Sequence, residues 1–363
     1  MDRILAAAAL LAALPIAAEP TSEQGQVSVR VLDYADRQPG ADRVSVRAPS
    51  FQLTTPIGGR WSLGASFIHD AISGASPQFH TRALTPLRDT RRAGDLSLSH
   101  AFENAALTLT GAASHEADYR SQGLSLSGTW STEDRNRSLA WGIGRSWDDI
   151  QPAVVGLAGG KKQMIDLHLG ITQVLTPRSL VQLSVGHNRA EGFLSDPYKL
   201  FDVRPEQRRA TRVLVRRNDH LPDWESTSRL AYRFYRDSFG IQAHTLSWEL
   251  EKSLGGGWSL TPALRLYSQT AARFYVEVDP AAAPFATQPP EDWRFSSLDQ
   301  RLSAFGAVTA GLKVGWQINP DWGTDLKFEH YEQRGAWHVG GPGSLHLAPL
   351  TARSWQWGLT RTF

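Results

Sequence analysis

No cysteine occurs in the chain. That absence removes disulfides, thiolate catalysis, iron–sulfur clusters and covalent haem attachment together. Neither sign of charge dominates: 38 Lys and Arg stand against 36 Asp and Glu, a formal net charge of +2. Such a balance gives no electrostatic case for a nucleic-acid partner. Long apolar runs are missing after residue 18. A membrane helix needs about 20 apolar residues in a row, so helical transporters and receptors are excluded. Methionine is scarce, at 2 residues, and hydrophobic residues reach 41%, a little under the globular norm. Tryptophan (13) and glycine (31) are plentiful instead. That profile fits a membrane β-barrel better than a cytosolic enzyme.

Residues 1–18 read as an export signal. Arg3 and the terminal amine form a weak positive region, partly offset by Asp2. Ile4 to Leu14 are apolar, Pro15 ends the run, and Ala17-Ala18 before Glu19 fits a cleavage site. Residues 19–25 look like a polar mature N-terminus.

From Gln26 onward apolar residues recur at every second position, the period of a strand with one apolar face. Leu124, Leu126 and Trp130 alternate with Ser125, Ser127 and Thr129. Ile165, Leu167, Leu169 and Ile171 alternate with Asp166, His168, Gly170 and Thr172. A soluble sandwich would carry charge on its outside and aliphatic residues within. Here the second face is Ser, Thr, Gly, Gln and isolated charges. An apolar outside and a polar lumen is the outer-membrane arrangement.

The expected strands are 27–36, 43–54, 60–70, 92–102, 105–115, 122–131, 137–147, 162–174, 179–190, 209–217, 226–237, 241–253, 258–274, 301–317, 323–334 and 352–363. The fold class is therefore all-β, a transmembrane antiparallel up-and-down barrel of about 16 strands. Residues 19–363 form one barrel domain. Short turns alternate with longer connections near 71–91, 148–161, 191–208, 275–300 and 335–351. Short turns face the periplasm and long loops face outside in such barrels. Ser238-Phe239-Gly240 breaks that alternation as a tight turn at the loop end, in the pattern of a bulged hairpin. The last strand carries Trp355, Trp357, Leu359 and terminal Phe363 on one parity. A final amphipathic strand ending in Phe resembles the signal read by the barrel-assembly machinery, with Trp357, Leu359 and Phe363 as its anchors.

The chain also resembles a known family, the bacterial outer-membrane barrels grouped as domain of unknown function 3570. The resemblance is carried by DAISGASPQ (Asp70 to Gln78), DTRRAGDLSLSHAFENAALTLT (Asp89 to Thr110) and YRSQGLSLSG (Tyr119 to Gly128). It continues in ITQVLTPRSL (Ile171 to Leu180), GFLSDPYK (Gly192 to Lys199), YRFYRDSFGIQAHTL (Tyr232 to Leu246) and LRLYSQTAARFY (Leu264 to Tyr275). The resemblance implies a place in an envelope redox system, since similar proteins are encoded beside a flavin transferase, a small lipoprotein and a thioredoxin-like protein. It implies a barrel that serves a flavinylated lipoprotein. Composition and periodicity carry none of that.

Parity sends Arg30, Arg47, Arg229, Arg233, Arg265, Lys313 and Lys327 into the lumen, with Asp95, Asp166, Glu249, Asp325 and Glu329. Arg229 is expected to face Glu249 across one hairpin. Such charges either support the wall by pairing or form a constriction. Mixed signs argue against a strong filter. Asp70, Ser73, Ser76 and Pro77 read as a loop ordered by local hydrogen bonds, and Ser195, Asp196, Pro197 and Tyr198 as a turn. Arg204, Arg208, Arg209, Arg212, Arg216 and Arg217 follow, either binding lipopolysaccharide phosphates or an acidic partner, or decorating a solvated hairpin. Tyr267, Gln269 and Tyr275 fall near the external mouth, where aromatics are commonly girdle residues.

Enzymatic signatures are absent: there is no GxSxG elbow and no HExxH zinc helix. No catalytic residue, cofactor site or metal site is assigned; His168 beside Asp166 lacks a third ligand. The expected partners are outer-membrane lipid, the barrel-assembly machinery and a small periplasmic or outer-membrane lipoprotein. Three functions remain open at this point. They are a conduit or scaffold serving a partner, a passive porin, and an outer-membrane hydrolase.

Overall fold

The computed structural model describes residues 24–77, 84–154, 156–199, 201–277 and 288–363, with the side chains of 41 and 72–88 outside that description. The expected export signal lies outside the described residues. Sixteen strands form one closed antiparallel barrel, each paired with its sequence neighbours. They are β1 (Gln26–Gln38), β2 (Ala41–Gly58), β3 (Trp61–Pro77), β4 (Leu84–Ala101), β5 (Ala105–His115), β6 (Tyr119–Ser131), β7 (Arg137–Ile150) and β8 (Gly160–Thr176). Then follow β9 (Ser179–Gly192), β10 (Gln207–Leu221), β11 (Ser226–Asp237), β12 (Gln242–Gly255), β13 (Trp258–Gln269), β14 (Phe305–Gln317), β15 (Trp322–Arg334) and β16 (Leu350–Thr362). Closure is made by β1 on β16, where Val29 pairs with Leu359 and Val31 with Trp357. Closing the sheet leaves no unpaired edge, which a strand structure needs to cross hydrocarbon.

The strand count agrees with the sequence, and most boundaries move outward. The largest extensions fall at the loop end. There the sequence, as in AISGASP (71–77), carries no period of two. Asp70 to Pro77 is thus no loop. It belongs to β3 and pairs with β4 as far as Pro77 opposite Leu84. The Asp70 carboxylate, 6% exposed, takes a 2.6 Å hydrogen bond from Arg91 Nε across that pair. β13 goes the other way and stops at Gln269, short of the expected 274.

Register sorts the side chains. Leu98, Leu109, Leu126, Ile143 and Leu167 are lateral neighbours from β4 to β8, and all are exposed on the outside. Their chain neighbours Ser97, Thr108, Ser127, Gly142 and His168 point inward. At the turn end Trp258 and Trp316 stack at 5.1 Å, an aromatic pair at the rim of the apolar band. Gly255, Gly256 and Gly257 all hold positive φ there (77°, 59°, 81°), which lets β12 reverse without side-chain strain. At the loop end the Ser238-Phe239-Gly240 turn forms, one residue longer than expected because Ile241 joins it. Gly240 holds φ 97°, and the Asp237 carboxylate accepts from Phe239 N and Ile241 N at 3.0 Å each.

Candidate functional site

The lumen wall is built from ion pairs that cross strands. Arg212 on β10 reaches over β9 to Asp166 on β8, donating to its two oxygens at 2.9 and 2.8 Å. Gly186 is the β9 residue underneath. A Cβ there would lie 2.5–2.9 Å from the guanidinium atoms. The same device closes the barrel seam. Arg30 on β1 crosses β16 at Gly358 and meets Asp325 on β15 at 3.3 Å. Glycine is required at both crossings because the arginine lies flat on the wall. We expect Gly186→Ala to push Arg212 off Asp166 and to cost about 1 kcal/mol, since the pair is partly screened. A shift in the unfolding midpoint against Gly111→Ala, where a Cβ meets nothing within 4 Å, checks it.

The charges assigned to the lumen by parity lie on the inward rows, with Arg47 the exception. Arg47 faces outward: it pairs with Asp33 in the row that carries Phe51 and Leu53. Arg229 is opposite Glu249 in register, yet its guanidinium bonds Glu251 at 2.9 Å, because the longer reach along the diagonal suits both side chains. Lys327 pairs with Glu329 on its own strand at 2.9 Å. Tyr267 and Gln269 are not girdle residues. They point inward, bonded to each other at 2.6 Å, and Gln269 Nε2 also donates to the Ser303 carbonyl at 2.7 Å. Tyr275 is buried at 7% in the loop beyond.

The arginine run from 204 to 217 is neither one surface nor a solvated hairpin. Arg208, Arg212 and Arg216 share the inward row of β10 with Ala210, while Arg209 and Arg217 face out. Arg208 donates to the Asp237 carboxylate at 2.9 and 2.6 Å. Arg204 lies in the loop before β10 and is buried, with a side chain 2% exposed.

That loop is part of a cover over the barrel's loop end. Arg204 donates to Asp202 at 2.9 Å and to Asp299 at 2.8 Å. Arg301 ties Asp299 to Asp196, the latter at 2.7 Å. Asp196-Pro197-Tyr198 is the expected turn, with Tyr198 N donating to Asp196 Oδ1 at 3.1 Å, and Ser195 Oγ accepts from Arg204 N at 3.0 Å. Val203 and Ser296 exchange two backbone hydrogen bonds at 2.8 and 3.0 Å, joining the 193–206 loop to the 288–304 loop. The joined loops then reach the rim on other sides. Tyr198 donates its hydroxyl to Asp118, between β5 and β6. Gln300 accepts from Gln38 at the end of β1, 3.2 Å away. The cover therefore crosses the mouth and does not merely line it.

Burial shapes its titration. Burial pushes the Asp299 carboxyl up, but Arg301 and Arg204 outweigh it and hold the group well below the usual carboxylate range. Asp196 is lowered in the same way, burial being offset by Arg301. Burial pulls the Lys199 ammonium below its ordinary value. Beside the cover, Asp89, Glu116 and Asp118 bring carboxylate oxygens within 4.8 Å of one another. Of the motifs expected at the loop end, the side chains of Ser73, Ser76 and Pro77 lie outside the described residues. Asp202, Asp299 and Arg301 were not singled out by sequence. Their local signal is opposite charge at i and i+2, in DVR (202–204) and DQR (299–301).

The comparisons bear on the whole of this frame. The family model described as Protein of unknown function (DUF3570) matches residues 3–157 and 153–354. The chain belongs to that family. No curated protein matches this DUF3570 chain by sequence. Among solved structures it is similar to a bacterial polysaccharide outer membrane secretin, at 9% identity and a TM-score of 0.54. That match covers 94% of this chain and 99% of the other. It is also similar to CdiB from Acinetobacter baumannii, at 9% identity and a TM-score of 0.50, covering 93% of this chain and 60% of that one. OccK9 (OpdG) from Pseudomonas aeruginosa aligns at 12% identity and 0.46, over 94% and 98%. At such identities the first two likenesses speak for the fold: this DUF3570 chain is an outer-membrane type barrel.

Proposed function

We propose that this protein resides in the bacterial outer membrane as a conduit or scaffold whose external mouth is covered by its own loops, and which is served from the periplasmic side by a partner. The observation that carries the reading is the cover: buried ion pairs, with the joined loops hydrogen-bonded to the rim at Asp118 and at Gln38. A passive porin needs that end open. At the other end the connections among described residues are tight turns, such as 177–178 and 256–257, so a partner or solute meets little obstruction there. The partner is a small lipoprotein. In its finest form the reading makes that lipoprotein flavinylated and the process trans-envelope electron transfer, which rests on the family resemblance. No reaction is assigned to the chain itself.

Single-channel recording of the purified, partner-free barrel in a planar bilayer tests the reading. Folded protein, established by heat-shifted gel mobility, is expected to stay silent or nearly so. Steady current that scales with salt would put the porin reading first.

A further inference from the structure

The lumen is not electrically uniform. On the walls of β4 to β7 its inward rows are mostly hydroxyl, methyl and glycine: Ser97, Ser99, Thr108, Thr110, Ser125, Ser127, Gly142 and Gly144. On β10 to β14 they are basic. Leaving aside the Arg208–Asp237 pair at the loop end, six cations point inward there: Arg212, Arg216, Arg229, Arg233, Arg265 and Lys313. Two carboxylates, Glu249 and Glu251, share those walls. Ion pairing does not remove the excess. Arg212 is engaged by Asp166 and Arg229 by Glu251. Arg216, Arg265 and Lys313 have no carboxylate partner among the described residues, and Arg233 has only the Thr245 hydroxyl at 3.3 Å. Arg216, Arg233 and Arg265 are exposed to the lumen. Arg212 and Arg265 both lie within Coulombic reach of Arg233. Like charges held this close repel one another unless an anion sits between them. The cover above them, anchored on Gln269, makes the space a chamber closed at the loop end.

We propose that Arg233, Arg265, Arg216 and Lys313 form an anion-binding wall for a multivalent oxyanion, phosphoryl or carboxylate, that enters from the turn end. Guanidinium forks match the planar pair of oxygens such groups present. Arg212 stays on Asp166 and supplies field without contact. The wall opposite offers mainly neutral hydrogen bonds, and its inward carboxylate Asp95 accepts from the Ser66 hydroxyl. The proposal rests on the lumen being entered from the turn end, as in the function proposed above. It requires no current through the barrel.

Inorganic pyrophosphate is the probe. Heat-induced unfolding of the detergent-folded full chain is followed in pyrophosphate and in sodium chloride at equal ionic strength. The expected result is a saturating rise in the midpoint with pyrophosphate. In Arg233→Gln/Arg265→Gln apparent binding should weaken at least about tenfold, as loss of two charge-assisted contacts implies. That variant should also unfold at a higher midpoint than the parent when no anion is present, because a repulsion has been removed. Arg216→Gln/Lys313→Gln gives the same reading should the first pair fail to fold. Arg273→Gln/Arg294→Gln, which alters a loop-end cavity of about 380 Å³, should bind like the parent. No rise in the parent, or an equal rise in both lumen variants, overturns the proposal. Loss of binding in the loop-end variant overturns it too. Silence or current in the bilayer reports on the cover alone, so the two ideas fail separately.

Discussion

Arg204→Ala should release the cover and let the barrel conduct. The guanidinium is 2% exposed and lies between Asp202 and Asp299, whose side chains are 0% and 1% exposed. Without it Asp299 keeps Arg301, but among the described residues Asp202 keeps only the Asp196 backbone N–H. Leaving a buried charge without its partner costs about 3–5 kcal/mol. A loop assembly is marginal by comparison, so a loss of that size moves it from mostly closed to mostly open. The expected readings are steady single-channel current and new trypsin cleavage after Lys199 and Arg301, in the released loops. Arg294→Ala, at an exposed arginine of the 288–304 loop, should change neither. Acid gives a second handle. The Asp299 carboxyl is depressed in the folded state, so its contribution is fully present above about pH 4, the unfolded value. It is lost only as pH falls through the lower folded value. The parent should therefore stay silent down to about pH 4 and open only in stronger acid. Opening near neutrality would show that the ion pairs are not what holds the loops.

Leu126→Arg and Ser127→Arg should have opposite outcomes although the residues are neighbours. Leu126 sits midway along β6 on the outside, flanked by Leu109 and Ile143. A charge on that face at the bilayer midplane costs about 2–4 kcal/mol. Ser127 points into the lumen beside Thr108 and Gly142, where an arginine keeps its water. Its effect should stay within about 0.5 kcal/mol. The yield of heat-shifted, folded barrel measures both. Equal losses would mean that the outside row does not meet lipid.

Why some features were legible and others were not follows from distance along the chain. The alternation of Leu124, Leu126 and Trp130 with serines states which face meets lipid, because strand geometry alone sends neighbours to opposite sides. Arg47 shows where that reasoning fails. Its inward assignment needed the parity of β2, and only pairing with Phe51's row opposite Val29 settles it. Arg212 shows a second limit. Its partner Asp166 is 46 residues away and two strands over, and the crossing depends on a glycine that any sequence reading passes by. The cover is a third. Asp202, Arg204, Asp299 and Arg301 come from loops nearly a hundred residues apart, with no periodicity to announce them.

By itself, then, the sequence determined the barrel, its strand number and its two faces, since those depend on local period and turn chemistry. It also determined which residue types line the lumen. Tertiary structure alone decided which charges are spent on one another, which remain free along β10 to β14, and that the loop end is crossed. Those depend on register summed around a closed sheet and on where long loops land. No local rule encodes either, because each is fixed only once the first strand meets the last.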